Sequence, residues 1–471
     1  MSYNAKRTEK MARKGTILLL LLMTWVSLTA QIKLPALFTD NMVLQRNAEV
    51  SVWGWGDYHY ETRVTGSWSK DTVTTWVSTD LKWRVTLKTP DAGGPYKLCI
   101  MGKDTITLEN IMIGEVWLCS GQSNMELTAE QTFNNSELEV ANAYHPNIRL
   151  FNVKRTASQA PQENCFGEWE VCSPRSMRSF SALGYFFGRH LHQHLNIPVG
   201  LINASLGGTP AEVWVSREVV AADPVLQDGA ERLIKYDWKL TDPGVVYNAM
   251  IAPLMPFTIA GTIWFQGEGN AETPQTYQKL FATLIESWRE GFNNDFPFYY
   301  VQIAPYAYEP RYHAPYIREA QVKCLDIPKT GMVLFSDFVD DINEGHPRNK
   351  QQEGERLGNY VLADRYGIKG IAYKSPLYES FNVENNKIRV TFVNADEGLV
   401  VRGEKLKYFE VAGEDRVFYP ANAKIDGNTV LIWSKEVKAP VAARYAFSND
   451  AIGNLFSREG LPASPFRTDN W

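Results

Sequence analysis

At 471 residues, with 44% hydrophobic and 21% charged side chains, the chain has room for more than one buried core and carries no compositional mark of disorder or of a fibre. A formal charge of −5, with no Lys/Arg-rich tract beyond the first residues, argues against nucleic acid as a partner.

Residues 1–30 read as a secretory signal peptide. Lys6, Arg7, Lys10, Arg13 and Lys14 precede the apolar run Ile17 to Val26, and Ala30 offers a small residue before Gln31. That run is short for a membrane span, so the expected location is secreted or periplasmic, with no stable membrane insertion after cleavage; an uncleaved anchor is the alternative. Cleavage removes those five basic residues and Glu9 and leaves a net charge of about −9. Export directs attention to sugars, peptides and other extracellular substrates.

Residues 31–110 show short alternating runs broken by turns, among them Val50 to Gly54, Thr62 to Ser67, Trp83 to Leu87 and Tyr96 to Met101, with a strong turn signal at Asp91-Ala92-Gly93-Gly94-Pro95. They predict a small β-sandwich-like domain. Its tryptophans, Trp53, Trp55, Trp68, Trp76 and Trp83, have two readings: core filling, or stacking on sugar rings.

Residues 111–380 change period. Apolar runs at Val116 to Ser120, Ile148 to Val153, Val199 to Ala204, Ile259 to Phe265, Phe298 to Ile303 and Met332 to Phe335 alternate with helical stretches, notably Ala182 to Leu195, Pro274 to Phe292, Ile317 to Cys324 and Lys350 to Tyr366. Strands alternating with helices predict an α/β domain with a mainly parallel sheet covered on both faces, whose chemistry gathers at the carboxyl ends of the strands. Residues 381–471 return to the strand period, with turn signals at Asn385-Asn386 and Asp426-Gly427-Asn428, and predict a C-terminal β-rich domain.

Five cysteines are present. In an exported chain, Cys165 and Cys172 are the pair whose proximity suggests a disulfide, whereas Cys119 and Cys324 sit in apolar stretches and read as core. There is no Cys-x-x-Cys pattern, and no metal or other cofactor is expected. Asp337, Asp340 and Asp341 lack the spacing of a twelve-residue calcium loop and read as solvated acids. His190 and His194 lie four apart on one helix with no acidic partner in the pattern and read as surface histidines.

The chemistry centres on Gly121-Gln122-Ser123-Asn124-Met125, a small-residue turn between the run Val116 to Cys119 and the start of a helix. Gly121 permits a sharp bend, and a serine there has two readings: a helix cap, or an exposed nucleophile beside the free N–H groups of the helix. Three other strand ends carry reactive groups. One runs into Leu206-Gly207-Gly208-Thr209, whose glycines offer N–H donors to a ligand, a second into Gln266-Gly267-Glu268-Gly269-Asn270, and the last into a loop ending at His346-Pro347.

Taken together, Gly-Gln-Ser-Asn-Met, Gly-Gly-Thr followed by Glu212 and Trp214, Trp264-Phe265-Gln266-Gly267-Glu268 with Asn270, and His346-Pro347 followed by Lys350, Gly354 and Arg356 resemble the sialate O-acetylesterase family, a branch of the SGNH hydrolases with acetyl xylan esterases among its relatives. Met42-Val43-Leu44-Gln45-Arg46 and Val52-Trp53-Gly54 are similar to that family's N-terminal β domain.

The resemblance implies an SGNH-type three-layer α/β/α domain and a secreted esterase acting on an acetylated carbohydrate such as a sialic acid or xylan. Ser123 would be its nucleophile and His346 its base. The Ser123 N–H, a glycine N–H from Gly207 or Gly208 and the Gln266 side chain would form the oxyanion hole, with Asn270 in the same group. Many SGNH hydrolases place an aspartate three residues before the histidine, where this chain has Asn343. Glu344, Asp341, Glu268 or a backbone carbonyl then stand as alternatives for holding the imidazole. Arg318 and Arg356 are candidate contacts for a substrate carboxylate, and Arg318 reads equally as a helix salt bridge. A non-catalytic glycan-binding protein on the same scaffold is the competing function; it predicts binding without acetate release.

Overall fold

The computed structural model describes residues 31–132 and 136–471. The expected signal peptide lies outside the described residues.

A seven-stranded sheet forms the centre of the α/β region. In chain order its strands are β1 (Thr105–Gly121), β2 (His145–Asn152), β3 (Trp169–Cys172), β4 (Val199–Ser205), β5 (Gly261–Phe265), β6 (Phe298–Gln302) and β7 (Thr330–Leu334). Their spatial order is β7-β6-β5-β1-β4-β2-β3. All neighbours are parallel except β2 and β3, which run antiparallel. After β1 the chain first builds one flank and then returns to build the other, so the crevice beyond the carboxyl end of β1 is the topological switch point. Ser123 follows β1 by two residues.

Period-2 alternation along β1 explains why so apolar a run is stable there. Val116 and Leu118 enter one core with Trp264, Phe281 and Trp288. Trp117 and Cys119 enter the core on the opposite face with Ile263, Phe265 and Leu183. Burial of such side chains stabilises by about 1.5–3 kcal/mol each. One face is covered by the helices α1 (Ala182–Leu195) and α4 (Lys350–Asp364), which pack on each other. The other is covered by α2 (Tyr277–Gly291) and α3 (Ala314–Lys323). The helix expected over residues 182–195 spans those residues because Ser181 caps it by accepting from the Gly184 N–H at 3.0 Å, and Asn196 in the left-handed conformation, φ 52°, ends it.

The amino-terminal β region is continuous with this sheet. The strand β1 runs unbroken through Asn110, pairing antiparallel with Gly93–Met101 in its first half and parallel with Val43–Gln45 near Ile113. Leu37, Phe38, Val52 and Trp53 share a core with Val116 and Trp264, so the β region closes one side of the α/β core. Trp53 and Trp83 are buried in it, whereas Trp76 is exposed. The C-terminal region forms two four-stranded antiparallel sheets around its own core of Ile388, Val390, Phe409, Val430 and Tyr445.

Three expectations are corrected. Cys165 and Cys172 are free thiols, each buried separately, with Cys172 Sγ donating to the Ala143 carbonyl at 3.7 Å. Arg318 is fully buried and donates to the carbonyls of Ile303, Ala304, Ser448 and Asn449, fastening the C-terminal region to α3 rather than facing a substrate. Arg356 holds Asp337 in a bidentate pair at 2.6 and 2.8 Å, so neither is available to a ligand. Among the described residues, no group of three or more His, Cys, Asp or Glu side chains is arranged to hold a metal ion, and no helix is long and apolar enough to cross a membrane.

Candidate active site

The turn after β1 is built around Gly121. Its φ of 134° suits glycine, and a Cβ there would collide with the Phe265 carbonyl oxygen. The Gln122 N–H donates to that carbonyl at 2.9 Å and the Leu206 N–H donates to the Gly121 carbonyl at 3.0 Å, so the turn is fixed to both neighbouring strands. The Gln122 side chain accepts from the Gly269 N–H at 3.0 Å. Ser123 then begins a single helical turn, Ser123–Glu126, and as its first residue has an N–H with no intrahelical acceptor.

His346 arrives from the loop after β7, and its Nε2 lies 2.9 Å from Ser123 Oγ. The two sequence-distant residues are therefore within proton-transfer reach. Burial pulls the imidazole below its ordinary pKa and the nearby Lys350 ammonium adds to the effect, while Glu344 opposes both. The ring is consequently neutral at neutral pH, the form that accepts a proton.

On its other side, His346 Nδ1 lies 3.5 Å from Glu344 Oε1, and the same oxygen accepts from the His346 backbone N–H at 3.1 Å. Asn343 turns away, donating through its backbone N–H and side chain to Asp341 at 2.9 Å each. Glu268 faces the Asn124 side chain at 3.0 Å, with burial raising its pKa and its second oxygen buried without a partner among the described residues. Of the acids considered from sequence, Glu344 is the one against the ring.

Asn124 holds the parts together. It donates to Glu268 at 3.0 Å and to the Gly345 carbonyl at 3.2 Å, and accepts from Lys350 Nζ at 2.9 Å. Lys350 is fully buried and also pairs with the fully buried Glu353 at 2.8 Å. One amide thus joins the serine turn, the Glu268 loop, the histidine loop and α4.

Gly207 and Gly208 sit beside the serine. A Cβ on Gly207 would stand 3.4 Å from Ser123 Cβ. The Gly207 N–H is engaged by the Glu126 carboxylate, which Arg155 holds at 2.7 Å. Gln266 and Asn270 are placed differently from the expected oxyanion role. Gln266 is fully buried, with its amide N–H groups on the Thr209 carbonyl and Asn270 Oδ1 at 3.3 and 2.8 Å and its oxygen accepting from Tyr277. Asn270 accepts from the Ala211 N–H and donates to the buried Glu212, both at 2.8 Å. Their polar atoms lock the glycine turn to the Gln266 loop because no water reaches them.

A histidine bonded to a serine hydroxyl, beside a helix start and a glycine turn at the switch point of an α/β sheet, is an arrangement suited to the chemistry of a hydrolase that cleaves esters. Residues 113–363 match the family described as carbohydrate esterase, sialic acid-specific acetylesterase, and the chain belongs to that family. It is 30% identical to the sialate O-acetylesterase of Rattus norvegicus, over 84% of this chain and 85% of that one. Identity to the Homo sapiens sialate O-acetylesterase is also 30%, over 84% and 83%. Among solved structures, a carbohydrate acetylesterase from Xanthomonas citri is similar over 94% of this chain and 100% of that one, with a TM-score of 0.85 and 33% identity. The chain is thus an O-acetylesterase, a carboxylic ester hydrolase, in fold and family.

Proposed function

We propose that the protein is an exported esterase that removes O-acetyl groups from sialic acids or from plant-type polysaccharides such as xylan through an acetyl-serine intermediate. The observation that carries the mechanism is the 2.9 Å contact between Ser123 Oγ and His346 Nε2. Ser123 Oγ attacks the acetyl carbonyl while its proton passes to His346. The Ser123 N–H and a backbone N–H of the Gly207-Gly208 turn stabilise the oxyanion. Collapse breaks the bond to the sugar oxygen, which takes the proton from His346; water, activated by the same imidazole, then releases acetate. Glu344 steadies the imidazole and favours its protonated form.

Among these substrates the family match favours O-acetylated sialic acids. Acetate release from O-acetylated sialic acids, acetylated xylan and acetylated mannan oligosaccharides tests the assignment. Ser123→Ala and His346→Ala are each expected to lose at least about a thousandfold in turnover with an unchanged melting temperature. Full activity in Ser123→Ala, or no acetyl-ester hydrolysis by the purified protein, would overturn it.

A further inference from the structure

We propose that Trp238 is the platform on which the pyranose ring of the substrate stacks while its acetyl group lies over Ser123, an inference that rests on the esterase reading above. Trp238 belongs to the irregular segment after the helix Pro224–Arg232 and is 73% exposed. A Cβ on Gly208 would meet the indole at 3.0 Å, and one on the preceding Gly207 would stand 3.4 Å from Ser123 Cβ. The indole therefore borders the same two-residue turn that flanks the nucleophile, on the solvent side.

The ring is held there from beneath. Tyr236 stacks on it with ring centres 5.6 Å apart and planes 22° from parallel. The Tyr236 hydroxyl donates to Glu272 at 3.3 Å, and Glu272 pairs with Arg311 at 3.1 Å. Lys239 donates to the Gly269 carbonyl at 3.3 Å. Tyr236 and Lys239 thus tie the segment to the Glu268–Glu272 stretch, whose Gly269 N–H also binds the Gln122 side chain beside Ser123. An aromatic side chain fixed on one face and open to water on the other offers a flat π surface, and the C–H groups along one face of a pyranose are its natural complement. Its position next to the reacting turn fits the ring that bears the ester, not a distant residue of a glycan.

The test compares wild type, Trp238→Ala and Trp238→Phe on an O-acetylated sialic acid, an acetylated xylo-oligosaccharide and 4-nitrophenyl acetate, which has no pyranose. Trp238→Ala is expected to raise KM for the acetylated sugar about tenfold with a smaller change in kcat, so that the preference for the sugar ester over 4-nitrophenyl acetate falls about tenfold. Trp238→Phe is expected to recover most of it. Equal losses on all three esters would mean that Trp238 only props the glycine turn and would overturn the proposal, as would an unchanged KM for the sugar. Calorimetric titration with free N-acetylneuraminic acid and with xylobiose reads the platform without turnover: about tenfold weaker binding of the sugar by Trp238→Ala supports it, and equal affinity overturns it. A wild type that binds sugar through Trp238 but hydrolyses none of the esters would refute the esterase reading alone.

Discussion

Replacing Glu344 by glutamine removes the negative charge facing His346 while keeping the side chain's size. Two unit charges 3.5 Å apart attract by about 1 kcal/mol in water and by about 5 kcal/mol at an effective dielectric constant near 20. The side chains of His346 and Glu344 are 44% and 41% exposed, which places the pair nearer the screened limit. A loss of about 1 kcal/mol in stabilising the imidazolium that forms in the transition state corresponds to roughly a fivefold fall in kcat/KM. The pH profile gives the sign independently. Activity requires neutral His346, so it rises with pH through the pKa of that group, which burial and Lys350 hold below its ordinary value and Glu344 raises. Without the carboxylate the pKa falls further, and the acid limb of kcat/KM against pH moves to lower pH as the plateau drops. Stopped assays of acetate release from pH 4 to 8, or about that range, on wild type, Glu344→Gln and Glu268→Gln read both changes. An unmoved limb and plateau in Glu344→Gln would refute the reasoning. The same two changes in Glu268→Gln instead would show that the histidine is steadied from the other loop.

Lys350→Met leaves Glu353 buried without its partner and breaks the bond to Asn124, and urea unfolding should show a loss of about 3–5 kcal/mol. The same variant removes a cation that depresses the His346 pKa, so its acid limb should move to higher pH, opposite to Glu344→Gln. Thiol titration of the unfolded chain should find five groups, and the native protein should expose at most Cys99 to the reagent. Burial raises Cys165, Cys172 and Cys324 to about 12 each and also raises Cys119, so none of these four forms a reactive thiolate at neutral pH.

What sequence could reveal followed from how local each cause is. The helix over residues 182–195 is written in its own cap, apolar face and end, all within sixteen positions, and the bend at Gly121 in one residue that alone tolerates the required φ. The strand β3 was missed because Trp169–Cys172 is only four residues long and owes its place to pairing with β2. Gln266 and Asn270 read as oxyanion or substrate groups because the family resemblance implies that role for the loop after β5. Their true neighbours, Thr209, Glu212 and Tyr277, come from other segments, and the burial that turns the amides inward exists only once the sheet has formed. The role of Asn124 depends on Glu268, Gly345 and Lys350, 144 to 226 residues away, for the same reason.

Trp238 is the extreme case. Its segment has neither helical nor strand period, and a single tryptophan among Asp237 and Lys239 carries no pattern to separate a surface aromatic from a binding one. What distinguishes it is a fold-level coincidence. The switch point of the sheet brings the Gly207-Gly208 turn of β4 beside the serine turn of β1. The Gln266 loop of β5 stands on the other side, where it anchors Tyr236 and Lys239. The same crossover that assembles Ser123 from one strand and its glycine donors from the next therefore also determines which exposed aromatic can reach the substrate. Among the tryptophans flagged in the amino-terminal β region, exposed Trp76 has no comparable link to Ser123: it lies on an outer strand that pairs with Glu61–Gly66. Exposure alone is thus a weak guide to sugar binding, and adjacency to the reacting turn is the criterion that selects Trp238.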